Sequence, residues 1–149
     1  MPETRRQALG KWGETQVVQH CGCPRCKRAR SLKLLPPNFK CADVICDFCG
    51  YLAQVKTGKV KDVDQVPTSI LGAAWEPQKE RMDAGIYFPL FLVLHSPDAS
   101  AIYYLSADLQ PIAMFVARKP LSSTAKRHGW KGFLYDLRCV PKGALVRVH

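Results

Sequence analysis

Two Cys-x-x-Cys pairs, Cys23/Cys26 and Cys46/Cys49, stand nineteen residues apart, with 27–45 between them. That spacing predicts a four-thiolate tetrahedral zinc site. In each pair the thiolates bracket a tight turn and reach one ion, and zinc takes four soft ligands in a closed structural site. Such a staple makes residues 21–50 a compact zinc knuckle and lays the segment entering Cys46 against the segment leaving Cys49 as antiparallel neighbours. Gly50 suits the turn after the second pair. His20 and Cys21 lie beside the first pair without partners at comparable spacing and read as bystanders. Cys41 and Cys139 read as small core residues.

The strand leaving the knuckle carries a second signal. In 51–58, "YLAQVKTG", alternate residues share a face, so Ala53 and Val55 anchor one side while Gln54 and Lys56 project from the other. Asp43, eleven positions before Gln54, lies on the strand entering the knuckle and comes opposite the 54–56 stretch. An acid, an amide oxygen and a lysine around one point make a hard-cation site with a positive charge beside it. Mg²⁺ held by Asp43 and Gln54 is the expectation. The chemistry fits phosphodiester hydrolysis, in which the ion and the ammonium stabilise charge on the phosphate and a metal-held water attacks.

Charge points the same way. The chain has 22 Lys plus Arg against 12 Asp plus Glu, a net +10, which favours a polyanionic partner, nucleic acid first and an acidic membrane surface second. The excess falls in two stretches, Arg25, Lys27, Arg28, Arg30, Lys33 and Lys40, then Arg118, Lys119, Lys126, Arg127 and Lys131. Lys59 continues the catalytic strand as a further phosphate contact, and Trp130, between basic and glycine residues, can stack on a base. A solvated basic face and a core-edge tryptophan are the competing readings.

Asp43 followed by Gln54-Val55-Lys56 resembles the PD-(D/E)XK nuclease motif in its QXK variant, and "GKWGE" at 10–14 is similar to the helix that brings an acidic residue, here Glu14, to such sites. The order of knuckle, "ADVICDFC" and X-x-K strand resembles the catalytic domain of DpnI-type restriction endonucleases, over most of 12–148. The resemblance implies an α/β restriction-endonuclease-like core, a mixed central sheet flanked by helices, with the four-cysteine knuckle inserted. It further implies Asp43, Gln54, Lys56 and Glu14 as catalytic residues, structural Zn²⁺ and catalytic Mg²⁺, and double-stranded DNA, methylated DNA included, as substrate. A unit this size cuts one strand per site, so double-strand cleavage needs a homodimer or two sequential events. Where DpnI-type members have glutamate, position 54 is glutamine, a neutral ligand. Two functions therefore stay open, a metal-dependent endonuclease and a non-catalytic zinc-stabilised DNA-binding protein.

One domain over 1–149 is expected, without a winged-helix module. The longest apolar run, 86–94, is too short to span a membrane, and the first ten residues carry charge where a signal peptide is apolar, which predicts a cytoplasmic protein. Seven cysteines in such a chain argue for metal or buried thiols over disulfides. Periodicity predicts a helix over about 4–19, an extended piece over 39–45, a strand over 51–58, and a helix over 68–85 entered at Thr68 or Ser69 and kinked or divided at Pro77. A buried central strand is predicted over 86–94. The later apolar segments are short strands or strand-helix pieces of unsettled type.

Overall fold

The computed structural model describes residues 2–37, 39 and 41–149, so Lys40 of the first basic stretch lies outside the described residues. Helix α1 (Arg5–His20) opens at Thr4, whose hydroxyl accepts the Gln7 N–H while the Gln7 side chain accepts the Thr4 N–H. This reciprocal cap satisfies donors that the first turn cannot bond internally. Gly13 and Val17, four residues apart, are its buried residues. Then come β1 (Leu32–Leu34), β2 (Val44–Cys46) and β3 (Leu52–Lys59). β1 forms inside the first basic stretch, where no strand is predicted. It pairs antiparallel with β2, which pairs antiparallel with β3 through Val44 opposite Ala53.

The helix expected over 68–85 is half strand. Ser69–Ala74 form β4, and only Trp75–Asp83 form helix α2. Ala73 and Ala74 favour helix intrinsically, and pairing with a distant strand overrides that preference. At Gly72 the Phe133 ring lies so close that a Cβ would sit 2.5 Å from it. Pro77 is the third residue of α2, in the first turn where no intrahelical N–H bond is required, so it neither kinks nor divides the helix.

The central strand is β5 (Leu90–His95), shorter than 86–94, because Pro89 precedes it and uses its carbonyl to accept the Gln54 N–H at 2.9 Å. β6 (Ser100–Leu105), β7 (Phe115–Ala117), β8 (Gly132–Asp136) and β9 (Val146–Arg147) complete the strands. One mixed sheet runs β1-β2-β3-β5-β6-β9, and a small antiparallel sheet runs β4-β8-β7. β3 and β5 are parallel, from Gln54 opposite Leu90 to Lys59 opposite His95. A parallel pair needs a crossover, and β4 and α2 supply it.

Two hydrophobic clusters use the two faces of the mixed sheet. Ala53, Val55, Phe91 and Val93 pack with Val17 of α1. Leu90, Leu92 and Leu94 pack on the other face with Ile70, Phe133 and Tyr135 of the small sheet. The architecture is therefore helix, mixed sheet, small sheet, an α/β arrangement that holds β3 between two cores. Cys139 is exposed and Cys41 half-buried, so neither is the core residue expected, whereas Cys21 is buried. Among the described residues no helix is long and apolar enough to cross a membrane.

Candidate active site

The four knuckle cysteines converge, with sulfur atoms all within 4.8 Å of one another. Cys23 Sγ lies 3.5 Å from Cys49 Sγ, and Cys26 Sγ lies 3.7 Å from Cys46 Sγ. A tetrahedron with Zn–S bonds of ~2.3 Å has edges of about 3.8 Å, so the cluster can hold a structural zinc. The two pairs fold alike. Cys26 N–H points at Cys23 Sγ (3.5 Å) and Cys49 N–H at Cys46 Sγ (3.4 Å), while Lys27 N–H donates to Cys23 O and Gly50 N–H to Cys46 O. Each turn then leaves through a left-handed residue, Lys27 at φ 64° and Gly50 at φ 78°. Burial alone would raise the Cys46 thiol, but the neighbouring Ser31 hydroxyl and the N–H groups of Cys49 and Phe48 bring it down to about 6. Those contacts favour the thiolate that zinc binding requires.

The knuckle also sets the register of the β2–β3 hairpin. Asp43 N–H donates to Ala53 O at 2.9 Å, continuing the ladder one step beyond Val44 and setting Asp43 against the start of the QVK stretch. Its carboxylate is anchored there, Oδ2 accepting the Val55 N–H at 2.7 Å. Alternation along β3 holds as expected. Val55 is buried under α1, and Gln54, on the opposite face, accepts a hydrogen bond from the Tyr135 hydroxyl at 2.9 Å through Oε1.

Glu14 comes from α1 to the same point. Burial raises its carboxyl to about 7, the adjacent Asp43 raises it further within that total, and Lys56 pulls it back. Two adjacent carboxyl groups disfavour each other's charge, and the ammoniums of Lys56 and Lys11 offset this only in part. Gly13 makes the approach possible, because a Cβ there would fall on Thr57 Oγ1 of β3.

A cleft of about 650 Å³ opens over this centre, lined by Glu14, Asp43 and Lys56 and rimmed by Arg5, Arg6 and Arg118. Lys59 and Trp130 also line it. Of the other residues expected to bind nucleic acid, Arg127 stacks its guanidinium 4.7 Å from the Trp130 ring, with Lys126 exposed and Lys131 half-buried on the same loop. Arg25, Lys27, Arg28 and Arg30 do not line the cleft. They are exposed on the knuckle, where Arg28 lies 3.7 Å over the exposed Phe48 ring. Sequence reasoning missed Arg5, Arg6, Tyr135 and the place of Arg118 in the cleft. The basic "TRRQ" at the helix start was the available signal for the first two.

The family model described as "DpnI: Dam-replacing family" matches residues 3–148. The chain belongs to the DpnI family. The match takes in the knuckle, the β2–β3 hairpin and the α1 glutamate together, and makes this a restriction-endonuclease-like protein of a DNA-binding family. Within that DpnI framework position 54 remains a glutamine, buried and held by Tyr135.

Proposed function

We propose that this DpnI-family chain is a Mg²⁺-dependent endonuclease that hydrolyses DNA phosphodiester bonds, a restriction-type enzyme acting on modified duplex DNA. One observation carries the reading: Asp43 and Lys56 line both a basic cleft, which Glu14 shares, and a second cavity, which Gln54 shares.

The donor set fits a hard divalent ion. Asp43 and Gln54 would hold it, with Glu14 supplying the negative charge that glutamine does not. A Glu14 carboxyl raised to about 7 beside Asp43 suits a carboxyl pair awaiting a cation. When bound, Mg²⁺ supplies charge stabilisation at the phosphate and an acidified water. Lys56 offers its ammonium to the same phosphate and orients the attacking water. In the hydrolysis a water oxygen bonds to phosphorus, one phosphorus–sugar oxygen bond breaks, and the leaving oxygen takes a proton. Arg5, Arg6, Lys59 and Arg118 hold flanking phosphates along the cleft, Trp130 with Arg127 contacts a base, and Lys126 and Lys131 add phosphate contacts from the same loop. Arg25, Lys27, Arg28 and Arg30 give the knuckle its own phosphate-binding face. Two copies, or two successive events, cut both strands.

The neutral Gln54, with its carbonyl already engaged by Tyr135, favours a second reading, DNA binding without cleavage. Digestion of adenine-methylated, cytosine-modified and unmodified DNA, with and without Mg²⁺, separates the two. Metal-dependent products on a modified substrate support the nuclease. Salt-dependent binding without products, converted to cleavage by Gln54→Glu, supports the degenerate site.

A further inference from the structure

Helix α2 turns an amide to the protein interior. Gln78 is its buried residue, 7% exposed, where a helix packed on a sheet ordinarily presents an aliphatic side chain. The side-chain hydrogen bonds of α2 run from Lys79 to Asp83 and from Arg81 to the Pro77 carbonyl. Among the described residues none reaches the Gln78 carboxamide. Among the described residues the buried side-chain atoms without a hydrogen-bond partner are Thr57 Oγ1 and His95 Nδ1, so the unbonded Gln78 amide keeps contact with solvent.

Gln78 lines a cavity of about 270 Å³ shared with Asp43, Gln54, Lys56, Phe133 and Tyr135. Gln54 is 8% exposed and receives Tyr135 at its carbonyl, which leaves its NH₂ group without a protein acceptor among the described residues. Glu14 does not line this cavity, whereas Asp43 and Lys56 line both it and the larger cleft. The Asp43–Lys56 pair thus divides two different environments. On the α1 side lies a second carboxyl group. On the α2 side lie two carboxamide donors, a buried phenol and the lysine ammonium.

We propose that the α2-side cavity is a seat for a non-bridging oxygen of the scissile phosphodiester, with the Gln78 carboxamide as its donor beside Gln54 and Lys56. This rests on the nuclease reading and adds to it a residue and an element outside the D…QXK motif. Neutral donors fixed by packing suit such an oxygen, because they are already oriented when charge develops on it. They also impose no second negative charge on a polyanion. With the acid pair on one side and the amides on the other, the phosphate is gripped from both.

The test compares Gln78→Met and Gln78→Glu with the unaltered protein in three measurements: melting temperature without DNA, duplex affinity in Ca²⁺, and single-turnover cleavage in Mg²⁺. Gln78→Met is expected to melt close to the unaltered protein, since the amide it removes bonds no protein group and the new side chain has a similar shape. Its cleavage is expected to fall about 100-fold. Gln78→Glu, which loses the donors and adds a negative charge, is expected to cleave no better than Gln78→Met and to bind duplex more weakly. Gln78→Met cleaving within about twofold of the unaltered protein overturns the seat. So does Gln78→Met melting several degrees lower, which would mean that protein groups already satisfy the amide. Gln78→Glu outperforming Gln78→Met would make Gln78 an acceptor of a metal-held water instead. If the unaltered protein cleaves nothing, the nuclease reading fails by itself, while the melting and affinity comparisons still decide whether the seat exists.

Discussion

The Tyr135 hydroxyl donates to Gln54 Oε1 at 2.9 Å, joining β8 to β3 across 81 residues of sequence inside a buried contact. A bond at this carbonyl leaves its second lone pair for a cation and fixes the plane of the amide. Tyr135→Phe keeps the ring and removes that bond. The Mg²⁺ concentration giving half-maximal cleavage should rise about 10-fold. Stability should drop by about 1 kcal/mol, a shift of roughly 3 °C. A metal titration alongside a thermal melt checks both, and an unchanged titration would mean that Gln54 is not a ligand.

Glu14 gives the metal-free protein a pH dependence of known sign. Its folded carboxyl sits at about 7 against an ordinary 4.5, so between those values the folded state binds more protons than the unfolded one. Stability should therefore fall as pH rises from about 4.5 to 7, and the penalty should be fully present above 7. Melting curves from pH 5 to 8 should show this slope in zinc-loaded, Mg²⁺-free protein, and Glu14→Gln should reduce it. Millimolar Mg²⁺ at pH 7.5 should raise the melting temperature of the unaltered protein more than that of Glu14→Gln.

The close approach of α1 to β3 depends on Gly13. In Gly13→Ala the new methyl meets Thr57 Oγ1, Cβ and Cγ2, so the helix must move away from the strand and carry Glu14 with it. The expected cost is about 1–3 kcal/mol. Cleavage should suffer beyond what stability explains, because a shift of order 1 Å in a catalytic group costs on the order of 100-fold. Adding Thr57→Ala should recover part of both losses. Gly10→Ala, where a Cβ meets nothing within 4 Å, should lose neither.

The knuckle should bind one zinc per chain and carry the register of the β2–β3 hairpin. Metal analysis of protein purified without added zinc should give a ratio near one, and Cys49→Ser should lower it to near zero. Stability should fall by at least ~3 kcal/mol, roughly 10 °C. Mg²⁺-dependent cleavage should disappear with it, since Asp43 stands only three residues before Cys46.

What the sequence made legible was local. Two cysteine pairs imply a turn, the turn implies an antiparallel hairpin, and the hairpin places Asp43 against Gln54 without knowledge of the rest of the chain. Tyr135 and Gln78 were invisible because their roles arise from a distant strand and from the burial of one helix face, and neither has a spacing signature. The strand at Ser69–Ala74 was misread as helix for a related reason. Its small residues lack β-branched character, and only pairing with β8 and the Phe133 ring reveals the state they adopt. Cys139 looked like a core residue by type alone, yet it ends a short 3-10 turn at the surface.

The most direct measurement is the rate of Mg²⁺-dependent cleavage of modified plasmid DNA by Lys56→Ala and Asp43→Ala, each shown by melting and zinc content to be folded. Both should fall at least ~100-fold below the unaltered protein, with duplex affinity in Ca²⁺ changed far less. Cleavage persisting in both folded variants at the unaltered rate would place the chemistry elsewhere and contradict the assignment of Glu14, Asp43, Gln54 and Lys56 as the active site.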